Sequence, residues 1–172
     1  MAAPEPAPRI ELLNARHDRA GFVCGNEALD QYFQRQVTQD ARCNLATPFV
    51  MVMPDGQLGG FYTLSSTALR LNDLPEDVAK RLPRYPLIPA TLIGRLAIDR
   101  NYHGQGWGSF LLLDALFRCT KSDIASFAVV VDAIDDAARA FYLHESFLPL
   151  PDQPRRLFRR MSDIEALFNQ VN

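Results

Sequence analysis

The chain has 172 residues, of which 48% are hydrophobic and 22% charged, and its net charge is −2. These values are typical of one soluble globular domain. Because the net charge is slightly negative, the overall composition does not indicate a nucleic-acid partner, and any basic surface has to be local. No apolar run reaches the ~18 residues that a membrane-spanning helix needs.

The N-terminal segment is rich in alanine and proline. Pro4, Pro6 and Pro8 favour extended backbone, so residues 1–8 are predicted to form a disordered tail and residues 9–172 a single domain. The tail lacks the basic region of a signal peptide. Three unclustered cysteines indicate reduced thiols in a cytoplasmic protein, with neither a disulfide framework nor a metal site. They are Cys24, Cys43 and Cys119.

Hydrophobic periodicity predicts the first elements. A strand over Ile10–Leu13 is followed by a helix that Asn26 caps and that runs to about Ala41. The apolar face of this helix consists of Leu29, Tyr32, Phe33 and Val37. Strands over Phe49–Met53 and Phe61–Leu71 then form an antiparallel hairpin.

Asp73 or Leu74, followed by Pro75, is predicted to open a short helix to Arg81, and the proline-rich stretch from Pro83 to Pro89 is predicted to be a loop. Thr91–Ile98 is predicted to be a buried strand, and a helix begins after Gly104. The predicted core positions of that helix are Phe110, Leu111, Ala115 and Cys119, flanked by Leu112 and Leu116.

The last part of the chain continues the alternation of strands and helices. Phe127–Ile134 is a continuous apolar strand, and Asp135 and Asp136 open a helix whose dipole their carboxylates favour. Arg156–Met161 is predicted to be the last strand, and Ser162–Glu165 is a capping box for a terminal helix. This order predicts an α/β (α+β) fold layered around a mixed sheet.

Three glycines alternate in the segment His103–Gly108, between a predicted strand and a predicted helix. Without Cβ atoms, such a loop can direct several N–H groups to one point, and the helix N-terminus adds about half a positive charge. Together these features form a binding site for phosphate oxygens. A tight turn whose glycines serve packing alone is the alternative.

Two other phosphate-binding patterns fit this loop less well. The Walker-A pattern needs a lysine after its last glycine, whereas Gly108 is followed by Ser109 and Phe110. The dinucleotide pattern needs a different spacing of its third glycine, and it usually lies in the first strand-to-helix turn of its domain.

The segment Ile93–Leu113 resembles the acyl-CoA motif of the GCN5-related N-acetyltransferases, the GNAT family. His103 stands where that motif usually has Gln or Arg. Asp135–Phe147 resembles the family helix N-x-x-A-x-x-F-Y-x-x-x-G-F, with Asp135 in place of Asn and Ser146 in place of Gly. The two motifs occur in the order that the family shows.

The resemblance implies the GNAT fold, with a splayed central strand in a mixed β-sheet flanked by helices, and an acetyl-CoA-dependent N-acetyltransferase. Free amides of the splayed strand would pair with the pantetheine arm and polarise the thioester carbonyl. Tyr142 matches the family's general acid, and a purely structural aromatic is the alternative for it. The residues implied to bind acetyl-CoA are Leu96, Ala97, Ile98, His103, Gly104, Gln105, Gly106, Trp107, Gly108, Ser109, Asp135 and Phe141.

No general base stands out. The candidates are His103, Asp132, His144 and Glu145. An α-amine has a pKa near ~7.7–8.0 and is partly neutral at pH 7, unlike a lysine amine near ~10.4. An α-amino acceptor would therefore need no dedicated base, which favours such an acceptor.

The whole chain is similar to the tRNA-acetylating toxins of bacterial type II toxin–antitoxin systems. The similarity lies in Phe22–Phe33, in Gly94–Asp99 with the glycines beyond it, and in the basic final strand. It implies acetylation of the α-amino group of aminoacyl-tRNA, which blocks translation, and a ribbon-helix-helix antitoxin as partner. The alternatives are a GNAT acetyltransferase of protein N-termini or small amines, and a non-catalytic acyl-CoA-binding module.

Arginines concentrate positive charge in the last predicted strand, where they could meet RNA phosphates. The predicted tRNA-binding set is Arg95, Arg155, Arg156, Arg159 and Arg160. A solvated edge strand that charge keeps from aggregating is the alternative. The sequence leaves a homodimer open, which would enlarge a platform for tRNA.

Overall fold

The computed structural model describes residues 2–170, in which seven strands form one sheet. The strands are β1 (Arg9–Leu12), β2 (Thr47–Val52), β3 (Leu58–Arg70), β4 (Leu87–Ile98), β5 (Ala128–Asp132), β6 (Leu148–Leu150) and β7 (Gln153–Arg160). The helices are α1 (Glu27–Gln31), α2 (Val37–Arg42), α3 (Glu76–Ala79), α4 (Trp107–Thr120), α5 (Asp136–His144) and α6 (Met161–Asn169). The strand order is β1-β2-β3-β4-β5-β7-β6, and the β4–β5 pair is parallel. The predicted fold class, a mixed sheet flanked by helices, is confirmed.

The chain divides into two compact units. The first comprises the residues up to Leu64 together with Arg95–Asp114, and the second comprises Ser65–Gly94 and the residues from Ala115 on. A disordered tail over 1–8 and a single domain over 9–172 stay predictions, and Met1, Val171 and Asn172, which they include, lie outside the described residues. No helix among residues 2–170 is long and apolar enough to cross a membrane.

In the first unit, the predicted helix after Asn26 is interrupted by a wider turn. Asn26 caps α1 as predicted, since its side-chain oxygen accepts a hydrogen bond from the Leu29 amide at 3.1 Å. Residues 32–36 then form a π-helical turn in which the Val37 amide donates to the Tyr32 carbonyl. This turn buries the neighbouring Tyr32 and Phe33 together, and Phe33 stacks on Phe61 of β3 at 4.1 Å between ring centroids.

The close approach of β3 to the end of β4 requires a glycine. A Cβ atom added at Gly60 would lie 2.9 Å from the Ala97 carbonyl oxygen and 2.8 Å from the Ile98 side chain. Next to it, the Tyr62 hydroxyl donates to the Asp114 carboxylate at 2.6 Å and joins β3 to α4. These contacts place the end of β4 and the first half of α4 against the same strand.

In the second unit, the first half of β4 pairs with β5 over Ala90–Ile93. The other side of β5 pairs with β7, in the register Ala128 opposite Arg160 to Asp132 opposite Arg156. Both faces of β7 are covered, because Leu157 and Phe158, which point to opposite faces, are fully buried.

Several element boundaries differ from the predictions. The proline-rich stretch was predicted to be a loop up to Pro89, but β4 already begins at Leu87. Pro89 has no N–H to donate, but the strand uses its carbonyl oxygen, which accepts a hydrogen bond from the Phe127 amide at 2.8 Å. Proline is therefore tolerated at this position of the strand. β6 was not predicted, and it makes β7 an internal strand, contrary to the edge-strand alternative.

Two predictions on helices were wrong in part. Phe110 was predicted to face the core but is 41% exposed, and its ring packs edge-on against the Trp107 ring. The buried face of α4 is centred one residue further along the chain than the predicted face. That face consists of Leu111, Leu112, Ala115, Leu116 and Cys119. The predicted capping box does not cap α6, because the helix already begins at Met161 and Arg160, in its capping position, makes no side-chain cap hydrogen bond.

We expect Gly60→Ala to lower the free energy of unfolding by about 1–3 kcal/mol, because its methyl group would overlap the backbone of β4. Thermal and denaturant unfolding measure this. Gly21→Ala is the control, since its Cβ would meet no atom within 4 Å. Equal stability of the two variants would contradict the close approach.

Candidate active site

A buried carboxylate organises the segment between β4 and the glycine loop. Asp99 is 5% exposed and accepts hydrogen bonds from the amides of Asn101 at 2.9 Å and Val23 at 3.1 Å. The Arg100 amide donates in turn to the Val23 carbonyl at 2.8 Å. Asp99 was not among the predicted site residues, although a carboxylate between an apolar strand and a glycine loop was a usable signal.

The loop is also tied back to the strand that precedes it. The ring of His103 donates from Nε2 to the Ile98 carbonyl at 2.7 Å. His103, which stands where the motif usually has Gln or Arg, therefore fastens the loop to the end of β4. The residue is otherwise exposed.

The backbone of the loop depends on two glycines in the left-handed region. Gly104 has φ +74° and Gly106 has φ +83°, and a Cβ at either position would meet no atom within 4 Å. Glycine is therefore needed here for its backbone conformation, and the space beside it is open. The Trp107 indole donates to the Gln105 side chain at 3.3 Å across the loop.

The helical ladder of α4 begins at its fourth residue, where the Phe110 amide donates to the Gly106 carbonyl at 3.2 Å. In any helix the amides before this point have no acceptor within the helix, and they point outward from its N-terminus. The segment from Gly104 to Ser109 therefore presents a helix N-terminus after a glycine loop, which suits the oxygens of a pyrophosphate.

The strand before the loop supplies backbone groups. Ala97 is buried, while Leu96 and Ile98 are partly exposed. The Arg95 amide donates to the side-chain oxygen of the buried Thr63 at 3.2 Å. The predicted acetyl-CoA residues from Leu96 to Ser109 thus lie in one continuous stretch of the first unit.

The remaining predicted residues lie on α5 in the second unit. The Asp135 carboxylate caps this helix by accepting from the Ala138 amide at 2.8 Å, so it fills the capping role that asparagine has in the family motif. Phe141 and Tyr142 contact each other edge to face at 5.1 Å.

Tyr142 has a buried ring, and its hydroxyl is not committed to another group of the protein. The side chain is 7% exposed and packs against Phe147 at 5.5 Å. Among residues 2–170, no group is hydrogen-bonded to its hydroxyl. Burial raises the pKa of Tyr142 well above its ordinary value, which keeps the phenol protonated throughout the neutral range.

The C-terminus of α5 closes on Tyr142 itself. The Phe147 amide donates to the Tyr142 carbonyl at 3.0 Å, and the Ser146 amide donates to the Leu143 carbonyl at 3.1 Å. This bonding pattern is a Schellman motif, whose left-handed position usually holds glycine. Ser146 occupies it with φ +69°, at a cost on the order of 1–2 kcal/mol.

The structure divides the four arginines of β7 between two faces of the sheet. Arg155 and Arg159 contact the two ends of α5. Arg155 pairs with the Asp136 carboxylate at 2.8 Å, and Arg159 donates to the Glu145 carbonyl at 3.2 Å. The cation at the C-terminal end suits the helix dipole, and the Asp136 carboxylate compensates the cation at the N-terminal end.

Arg156 and Arg160 alternate with these two and point to the other face. Arg156 lies 3.9 Å from the Asp132 carboxylate of β5, and Arg160 pairs with Asp163 of α6 at 3.1 Å. The four side chains therefore do not form one continuous charged rim.

Arg95, the fifth predicted RNA contact, belongs to the first unit. Its guanidinium carbon lies 3.7 Å from the centroid of the Tyr32 ring. The Tyr32 hydroxyl donates to the Asp40 carboxylate at 2.9 Å, and burial followed by this bond raises the pKa of Tyr32 to about 12. A guanidinium stacked on a ring keeps its in-plane N–H groups for a further acceptor.

None of the candidate bases has a geometry that marks it as a base. The His103 ring is engaged by Ile98, and Asp132 faces Arg156. His144 is largely exposed, with Nδ1 3.8 Å from the Glu145 carboxylate.

Comparisons with known proteins identify the family of this chain. Residues 24–147 match the model of the acetyltransferase (GNAT) family. A "tRNA-acetylating toxin" of Mycobacterium tuberculosis (strain ATCC 25618 / H37Rv) is 36% identical over 163 residues, which cover 94% of this chain and 95% of the relative.

Two solved structures of the toxin AtaT are similar over almost their whole length. AtaT complexed with acetyl-methionyl-tRNAfMet is 31% identical with a TM-score of 0.85, covering 94% of this chain and 99% of that chain. A tyrosine-to-phenylalanine mutant of AtaT, bound to the C-terminus of the antitoxin AtaR and to acetyl-CoA, is 28% identical with a TM-score of 0.80, covering 95% and 99%. The family match, the relative and the glycine loop before α4 lead to one conclusion: the chain belongs to the GNAT family of acetyltransferases.

Proposed function

We propose that this enzyme transfers the acetyl group of acetyl-CoA to the α-amino group of aminoacyl-tRNA and thereby blocks translation as the toxin of a toxin–antitoxin pair. The likeness to the mycobacterial tRNA-acetylating toxin over 94% of this chain carries the proposal. The AtaT complexes with acetylated tRNA and with antitoxin support it. An antitoxin of the ribbon-helix-helix type, a homodimer and a cytoplasmic location belong to the same proposal.

The glycine loop and the N-terminus of α4 are the proposed site for the pyrophosphate of acetyl-CoA. Backbone amides after the left-handed Gly104 and Gly106 would donate to its oxygens. The backbone of Leu96–Ile98 would hold the pantetheine arm, and an amide directed at the thioester oxygen would stabilise the oxyanion of the transition state. His103, Gln105, Trp107, Asp135 and Phe141 complete the proposed set.

In the proposed reaction, the neutral amine nitrogen attacks the thioester carbonyl carbon, and the C–S bond breaks as the amide bond forms. The leaving thiolate takes a proton from the Tyr142 hydroxyl, and the proton lost by the nitrogen restores the phenol. At reference pKa values this transfer to the thiolate is uphill by about 2 kcal/mol. Burial, which raises the pKa of Tyr142, also raises the basicity of a desolvated thiolate, so the two effects oppose each other.

Three of the four proposed RNA contacts are arginines that pair with carboxylates. Arg155, Arg156 and Arg160 pair with aspartates that are more than half exposed, so a phosphate can replace the carboxylate at little cost. Arg95 adds a stacked guanidinium. Each such contact would make binding weaker at higher salt.

The acceptor is tested by incubating the protein with labelled acetyl-CoA and three acceptors: aminoacylated tRNA, uncharged tRNA and a peptide with a free N-terminus. We expect the label on aminoacylated tRNA alone, and we expect it to leave the tRNA together with the amino acid. Label on the peptide alone would identify a general N-acetyltransferase and reject the toxin proposal. Tight CoA binding without transfer would indicate a non-catalytic module.

Tyr142→Phe should lower kcat by about 10²–10⁴-fold, the range for general acids, while acetyl-CoA affinity hardly changes. Steady-state kinetics and calorimetric titration measure the two quantities. Tyr102→Phe is the control, because it removes a hydroxyl from a partly exposed tyrosine outside the proposed proton transfer. Retention of most of the turnover in Tyr142→Phe would reject the assignment.

Gly106→Ala should weaken acetyl-CoA binding by about ten-fold or more, because alanine disfavours the left-handed backbone on which the loop depends by about 1–2 kcal/mol. Calorimetric titration with acetyl-CoA measures the change. Gly56→Ala is the matched control, since Gly56 has φ +86° and equally open space but lies in the hairpin turn between β2 and β3. An equal loss of acetyl-CoA affinity in both variants would show that general backbone strain, and not a binding role of the loop, causes the effect.

A further inference from the structure

We propose that Arg159 is a positioning residue that holds Tyr142 through the C-terminal turn of α5, an inference that rests on the acetyl transfer proposed above. Arg159 was predicted to contact tRNA. Its contacts differ from those of the other arginines of β7, which all pair with aspartates, Arg155 in addition to the Ile134 carbonyl. Arg159 instead donates to the backbone carbonyl of Glu145, directly after α5.

The backbone of Tyr142 is part of this turn. Its carbonyl accepts the Phe147 amide at 3.0 Å, and the Phe147 ring packs against its own ring at 5.5 Å. A change in the residues that follow α5 therefore reaches the main chain and the ring of Tyr142 directly.

The backbone of this turn is strained at one position. Ser146 occupies the left-handed position with φ +69°, where the family motif has glycine. A serine in this conformation is strained, so the turn needs support from outside the helix to remain closed.

Arg159 supplies such support from a rigid strand. Its Nη1 donates to the Glu145 carbonyl at 3.2 Å, next to the strained residue. A cation at a helix C-terminus also interacts favourably with the helix dipole. β7 is hydrogen-bonded on both sides, to β5 and to β6, so the backbone of Arg159 is held in place.

The rest of α5 is joined to β7 as well. Arg139, in the first half of α5, donates to the Pro154 carbonyl of β7 at 2.6 Å. With both halves held on one strand, the orientation of α5 and therefore of Tyr142 depends on β7.

The kinetic test separates positioning from RNA binding. We expect Arg159→Gln to lower kcat by about ten-fold or more, because small displacements of reacting groups are costly. KM for aminoacyl-tRNA and its salt dependence should not change. Combined with Tyr142→Phe, the substitution should cause no further loss, since it acts through the same hydroxyl.

A second test needs no acceptor. Hydrogen exchange of the Ser146 and Phe147 amides should be about ten-fold faster in Arg159→Gln, because the turn opens more often. Ser146→Gly, which removes the strain, should restore slow exchange and most of the lost kcat in the Arg159→Gln background.

Two control variants calibrate the result. Arg81→Gln removes the same charge from an exposed position, and it should change neither kcat nor exchange. Arg156→Gln, a proposed RNA contact, should raise KM for aminoacyl-tRNA and reduce the salt slope by about one.

Three results would overturn the proposal: unchanged exchange at Ser146 and Phe147, a raised KM with a shallower salt slope in Arg159→Gln, or an equal loss of kcat on top of Tyr142→Phe. If the wild-type protein does not acetylate aminoacyl-tRNA, the proposed acceptor is rejected on its own. The exchange experiment then still decides whether Arg159 holds the turn.

Discussion

The buried carboxylate of Asp99 is the contact on which the glycine loop depends. A carboxylate that is 5% exposed has to be hydrogen-bonded, and this one satisfies the amides of Asn101 and Val23 at the same time. It therefore links the start of the loop to a segment 76 residues earlier in the chain. Gly60, which lets β3 lie against the Ala97 carbonyl, fixes the other side of the same strand end.

The chemistry proposed for Tyr142 depends on burial of its ring combined with a hydroxyl that has no hydrogen-bond partner among residues 2–170. Burial raises its pKa, which makes the phenol a weaker acid toward the leaving thiolate unless the thiolate is desolvated as well. The ring is held by Phe141 and Phe147, and the backbone by the turn after α5. Precise placement is thus provided by local packing and by backbone hydrogen bonds.

The arginines of β7 show how one charged run can have two uses. In a strand, successive side chains point to opposite faces of the sheet, so arginines that are neighbours in sequence contact different parts of the protein. Arg156 and Arg160 pair with carboxylates, which RNA phosphates would replace in the proposed function, whereas Arg159 donates to a backbone carbonyl at the end of a helix. Composition alone could not separate these uses, because each arginine contributes the same charge.

The sequence by itself determined the element order apart from β6, the loop at Gly104 and Gly106, and the caps at Asn26 and Asp135. These features depend on periodicity and on the backbone preferences of a few neighbouring residues. Only the tertiary structure decided which face of α4 is buried, that Pro89 lies within a strand, and that β6 covers β7. It also decided the partners of Asp99 and Arg159. These features depend on contacts between distant residues, for which local patterns hold no information.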